Sequence, residues 1–162
     1  MLSLSIDGAD ALSARLDAYP AALANELAEK AQALASALVD KIKNEKLAGD
    51  PLRSRSGALA ASIAAEVSSD GDDIVATVGS FGDVKYAAIQ EYGGKTGAHE
   101  ILPDKAGVLA FVVDGAMHFA RKVEHPGSVI PERSYLRSSL EEMSDEIVAT
   151  LAATVSDAWE QA

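Results

Sequence analysis

Seven large apolar side chains, Leu136, Leu140, Met143, Ile147, Leu151, Val155 and Trp159, recur at steps of four and three. The α-helix, with its 3.6-residue turn, keeps such a set on one side, so the spacing predicts a long amphipathic helix with this face turned to the core. A second stripe, Leu23, Leu27, Leu34, Leu38 and Ile42 with Ala31 in the gap, predicts another long helix from Ala21 to about Leu47. Gly49-Asp50-Pro51 supplies its stop. Upstream, a helical stretch from about Asp10 is expected to be interrupted or restarted at Pro20. Before it, alternation of Leu2, Leu4 and Ile6 reads as a short strand ended by Gly8.

Between the long helices the period changes from 3.6 to 2. "AAEVSS" and "DIVATVGS" alternate on either side of Asp70-Gly71-Asp72, and "GVLAFVV" and "MHFARKVE" flank Asp114-Gly115. Asp-Gly between alternating runs predicts a hairpin in each case. A short helix is expected from Gly57 to about Ser62. A two-turn helix over "VKYAAIQEYGG" is expected to point Tyr86, Ile89 and Tyr92 inward. "KTGAHEILPDK" and "HPGSVIP" read as loops.

The fold expected from these elements is α+β, a small, mostly antiparallel sheet of two hairpins packed against long N-terminal and C-terminal helices. The 162 residues are expected to form a single domain, with a core over 20–160 and residues 1–19 as a short strand and helical lead-in. Aromatic residues make up only 5% of the chain, so the core should be thin, helix-rich and closely packed.

Charge excludes several functions. Fourteen Lys and Arg against 25 Asp and Glu leave a formal charge of −11. Residues 135–162 alone hold one basic and six acidic side chains. Nucleic-acid binding needs a basic face that releases counterions, and none is present, so no direct nucleic-acid contact is expected. No apolar run approaches the ~20 residues of a membrane span, and "MLSLSIDGAD" lacks the basic and apolar regions of a secretory signal. These features suit a protein made in the cytoplasm.

Catalytic chemistry finds no foothold either. The chain has no cysteine, which removes disulfides and thiolate sites. His99, His118 and His125 are too scattered for a local metal motif, and there is no nucleophile elbow. "GGKTG" fails the spacing of a phosphate-binding loop. Catalytic, metal and cofactor residues are therefore all expected to be absent. Two polar segments stand out instead. "LRSRSGALAASI" joins Arg53 and Arg55 to a helix start at Ser56-Gly57, and "IPERSYLRSSLEE" crowds Arg133 and Arg137 at a helix N-terminus, where the dipole disfavours cations. Ser134 or Ser138 can cap that helix.

Four segments together resemble the tail-completion or neck proteins of long-tailed bacteriophages, the virion-morphogenesis or head–tail joining family. "LRSRSGALAASI" is similar to the family's Arg-x-[Thr/Ser]-Gly-x-Leu-x-x-Ser-Ile. "VGSFGDVKYAAIQEYGG" is similar to its Val-Gly-[Ser/Thr] followed by Tyr-Ala-x-x-x-Glu-[Tyr/Phe]-Gly. "ILPDKAGVLAFVV" resembles its Ile-x-Pro-x-x-x-x-x-Leu-x-Phe strand. "HPGSVIPERSYLRSSLEE" resembles its His-Pro-Gly and Ile-Pro-x-Arg-Pro-[Phe/Tyr]-Leu-x-x-[Ala/Ser]-Leu. The resemblance spans roughly residues 20–160. It departs at Ser134, where the family has proline, and at Ala60 and Ala61, where basic residues are frequent.

This resemblance implies a structural protein of the virion neck or tail, assembled in the bacterial host and joining tail to head, often as a ring. Its implied partners are connector or adaptor proteins, or tail-tube and terminator proteins, besides further copies of itself. The implied interaction or fold-determining residues are Arg53, Ser56, Gly57, Leu59, Tyr86, Glu91, Tyr92, Gly93, Pro131, Arg133, Tyr135 and Leu136. Tyr135 and Leu136 are expected to anchor the final helix, and Arg133 to pair with Glu91. The rival expectation is a small adaptor domain, bacterial or prophage, with no role in the particle.

Overall fold

A computed structural model describes residues 8–49, 51–52, 56–70, 73–104 and 107–161. The strand expected over residues 2–6 lies outside them. The chain gathers into two compact units, one of Met1–Ala87 with Ser134–Ala162 and one of Ala88–Arg133.

The first unit is built on α1, Ala9–Lys41. Pro20 lies inside this helix and does not end it. The proline ring removes the hydrogen bond to the Leu16 carbonyl, and the turns on both sides carry the helix through. The helix then widens into a π-helical stretch, Ile42–Lys46, closed by the Leu47 N–H donating to the Ile42 carbonyl at 3.0 Å. On a regular α-helix, residues five apart point about 140° away from each other. The wider turn brings Ile42 and Leu47 nearer to one side, and they are 0% and 2% exposed. The stop at Leu47 is where the sequence pattern ends.

A short α2, Ala58–Ser62, runs directly into β1, Ile63–Asp70, which pairs antiparallel with β2, Asp73–Ser80. Asp70 faces Asp73, so the strands are joined by two residues, Gly71-Asp72, and Asp70 of the expected turn belongs to the ladder. Register puts Ile63, Ala65 and Val67 on one face with Val78 and Ile74, and α1 packs on this hairpin. Helix α4, Arg137–Gln161, packs along α1. The core gathers Leu38, Ile42, Leu47, Leu52, Leu59, Ile63, Ala87, Tyr135 and Met143, with Leu136 and Ile147 against it.

The buried stripe of α4 differs from the apolar one. Ser139, Met143, Thr154 and Ala158 are buried, whereas Leu140, Val155 and Trp159 are 51%, 42% and 57% exposed. Steps of four advance 40° past a full turn, so the run that starts at Ile147 against the core has drifted off the core side by Val155 and Trp159. Beside Met143, the small side chains of Ser139, Thr154 and Ala158 take the inner positions.

In the second unit, α3, Ala87–Tyr92, leads into six short strands. The pairs are β3, Gly94–Lys95, with β8, Val129–Ile130; β4, His99–Ile101, with β7, Val123–His125; and β5, Leu109–Val113, with β6, Ala116–Ala120. All are antiparallel and nested. Gly94↔Ile130 and His99↔His125 share one register, and the Thr96 N–H donates to the Ser128 carbonyl at 2.9 Å between them. The segments read as loops therefore form one interrupted two-stranded ribbon, with hairpin β5–β6 at its closed end. Asp114 (φ 51°) and Gly115 (φ 80°) supply the left-handed pair that a tight hairpin turn requires. Glu100 and Glu124 oppose each other across the ladder, and Lys122 bridges them at 2.8 and 3.5 Å.

The α+β class, with long terminal helices and antiparallel strands, is thus what the structure has. The two expected hairpins are not hydrogen-bonded to one another. Each is its own two-stranded ladder.

Candidate functional site

The segments singled out in the sequence meet in two clusters. In the first unit, Gly57 takes a left-handed conformation (φ 74°) and caps α2, and Ser56 Oγ accepts the Ala58 N–H at 3.4 Å. This turns Leu59 inward, 8% exposed, into the cluster that holds Ala87 and Tyr135. Tyr135 is 1% exposed, and its hydroxyl donates to the Ala87 carbonyl at 3.3 Å. The start of α4 is secured by serines. Ser134 Oγ accepts the Ser138 N–H at 3.2 Å, and the Ser138 and Ser139 hydroxyls donate to the Ser134 and Tyr135 carbonyls. Ser134, standing where the family has proline, is therefore the capping residue.

In the second unit the turn after α3 closes on the strand that precedes α4. The Arg133 N–H donates to the Gln90 carbonyl at 2.9 Å. Gly93 (φ 67°) lies so close that a Cβ there would stand 2.7 Å from Glu132 N and 3.0 Å from the Ile130 carbonyl oxygen. Only glycine allows both that conformation and that approach.

This Arg133 contact is made by its backbone N–H. The Arg133 side chain is exposed, whereas Glu91 is 1% exposed. The inward positions of α3 differ from expectation. Ala87 and Glu91, four apart on one face, are buried, while Tyr86 and Tyr92 are 44% and 63% exposed. Pro131 is exposed, Leu136 packs against the core, and Arg53 lies outside the described residues. Among the candidates, Tyr86, Tyr92, Pro131 and Arg133 thus offer exposed surface. Ser56, Gly57, Leu59, Gly93, Tyr135 and Leu136 build the fold.

One polar cluster was not anticipated. Glu142, in the first turns of α4, bonds Lys46 in the π-helical stretch and Lys41 of α1 (3.0 Å), and Lys41 also bonds Glu45 at 2.8 Å. The hydrogen bonds from Lys46 and then Lys41 hold the Glu142 carboxyl below its ordinary 4.5. Those of Glu45 and then Glu142 raise Lys41 above 10.5. Because the folded carboxyl titrates lower than the unfolded one, its contribution is present above pH 4.5 and disappears as pH falls through the folded value. The lysine contribution is full below pH 10.5 and disappears above it. Glu142→Gln should therefore lower thermal stability slightly at neutral pH, the pair being solvent-screened. The gap to the wild type should close in acid. Equal melting curves at every pH would remove this role.

Two apolar surfaces remain uncovered. On α4, Leu140, Val148, Val155 and Trp159 form an outward stripe, 51%, 68%, 42% and 57% exposed. Trp159 makes an edge-on contact with Tyr19, ring centroids 5.3 Å apart, beside an open apolar cleft of about 150 Å3 lined by Leu12, Arg15, Leu16, Tyr19 and Trp159. On the ribbon, Val112, Met117 and Phe119 share one face of hairpin β5–β6 and are 63%, 62% and 67% exposed. Among the described residues no three His, Cys, Asp or Glu gather as a metal site, and no helix is long and apolar enough to cross a membrane.

A family model described as "Bacteriophage HK97-gp10, putative tail-component" matches residues 10–93, just over half of the chain. The chain belongs to the HK97-gp10-like family. The match runs from α1 to the close turn at Gly93, and so takes in Ser56, Gly57, Leu59, Tyr86, Glu91 and Tyr92. No curated protein and no solved structure matches the chain significantly. In this HK97-gp10-like protein the matched segment supplies α1, α2, hairpin β1–β2 and α3, while the ribbon and α4 follow it.

Proposed function

We propose that this HK97-gp10-like chain is a structural subunit of the neck of a tailed bacteriophage, completing the tail or joining it to the head. It acts through protein–protein contacts as a member of a ring, carries out no catalysis and binds no nucleic acid directly. Its neighbours are connector or adaptor proteins on one side or tail-tube and terminator proteins on the other. Membership in a phage tail-component family carries this reading. The uncovered apolar surfaces and the net charge of −11 agree with it, since the first need partners and the second repels phosphate.

The test is electron microscopy of particles made with this gene deleted and with it restored. Separate heads and tails, rejoined on complementation, are the expected result. Normally joined particles from the deletion would favour the adaptor reading instead.

A further inference from the structure

We infer that the closed end of the ribbon, hairpin β5–β6, docks in one copy onto the exposed apolar stripe of α4 in the next copy. This names the contact surfaces of the ring and rests on the reading above.

Both surfaces need covering. The hairpin is an isolated two-stranded ladder, and cross-strand register sets Ala110 with Phe119 and Val112 with Met117 on one face. Two strands alone are marginal in water, and an apolar face on them is a contact surface in waiting. The α4 stripe runs from Leu140 through Val148 and Val155 to Trp159, about five turns of helix. From the exposures of its residues, each patch offers roughly 300–400 Å2 of apolar surface. A standard contact buries about 800 Å2 per partner, a little over half of it apolar, so the two patches match the apolar centre of one such interface.

Charge selects which patch meets which. On the helix, the 100° step sets Glu141 and Asp145 beside the stripe. Pairing α4 with a second α4 would set these acids against their own copies. The hairpin presents the opposite sign where β6 ends, at Arg121 and Lys122. Lys122 is engaged with Glu100 and Glu124, whereas Arg121 is exposed and enters no ion pair among the described residues. Docked on α4, Arg121 meets Glu141 or Asp145 at the rim of an apolar contact. Hairpin against hairpin would cover one patch, leave the helix stripe open and close as a dimer. Hairpin against helix is head-to-tail, the contact type that builds a ring when the rotation closes.

The experiment uses the full chain and two substitutions at exposed sites, Phe119→Glu on the hairpin and Val148→Glu on the helix. Each adds a negative charge where the proposed neighbour is acidic or apolar, and each residue is more than 60% exposed, so the fold should survive, as circular dichroism will check. By sedimentation velocity the wild type should form multi-subunit species as its concentration rises, and each variant alone should sediment as a monomer. An equimolar mixture of the two variants should form a dimer and stop there. The intact hairpin of the Val148→Glu copy finds the intact helix of the Phe119→Glu copy, and no second contact remains. Variants that assemble as the wild type does, or a mixture that stays monomeric, would overturn the inference and leave the neck role standing. A wild type that is monomeric at all concentrations would also overturn it. The neck role fails separately, if the gene deletion yields joined particles.

Discussion

Tyr135→Ala should cost about 3–5 kcal/mol of folding stability, the range for emptying an aromatic site in a closed core. Tyr135 is 1% exposed and lies in the same cluster as Leu59, Ile63, Ala87 and Met143. Removing the ring leaves a cavity where α4 starts, and neighbours on four elements, α2, β1, α3 and α4, would have to move to fill it. Tyr135→Phe should cost only about 1 kcal/mol, because it keeps the packing and loses one hydrogen bond, to the Ala87 carbonyl. Urea unfolding followed through Trp159, the only tryptophan, reports on the unit that holds both residues. A Tyr135→Ala loss no larger than that of Tyr135→Phe would mean that the ring is not part of the core.

Gly93→Ala should cost about 2–4 kcal/mol. A left-handed φ of 67° costs an L-residue about 1–2 kcal/mol. The rest comes from moving backbone, since the new Cβ would meet Glu132 N at 2.7 Å and neither atom sits on a flexible side chain. Gly97→Ala is the control, because a Cβ there meets nothing within 4 Å. Amide exchange at Arg133, whose N–H donates to the Gln90 carbonyl, should speed up in Gly93→Ala and stay unchanged in Gly97→Ala. Equal behaviour of the two variants would show that the close approach carries no energetic weight.

Features with a strong local cause were readable from the sequence. The stop after Leu47, both tight hairpin connections and the inward Leu38 and Ile42 follow from periodicity and turn chemistry alone. Gly57, Leu59 and Tyr135 were singled out by the family resemblance and not by periodicity; in the structure Gly57 caps α2, and Leu59 and Tyr135 are buried. What was misread depends on tertiary context. Pro20 looks like a break because a local rule cannot see what supports a helix on both sides. The outward stripe of α4 looked like core because Val155 and Trp159 are apolar, while the inner positions are held by Thr154 and Ala158. Glu91 gave no sign of burial, since carboxylates are seldom inside. Strands of two and three residues, such as Gly94–Lys95 and His99–Ile101, are too short to show alternation. Their pairing is set by the partner 22 to 36 residues away.

The two units differ in how they lie along the chain. Residues Ala88–Arg133 are contiguous, so everything the ribbon pairs with has been synthesised by the time Arg133 is made. The other unit is split, and its core lacks Tyr135 and Met143 until α4 exists. On a translating ribosome the later unit in sequence can therefore close first. The apolar side of α1 around Leu38 and Ile42 stays incompletely covered through all of that interval. A nascent chain paused between residues 88 and 133 is accordingly the form most open to chaperone capture and proteolysis.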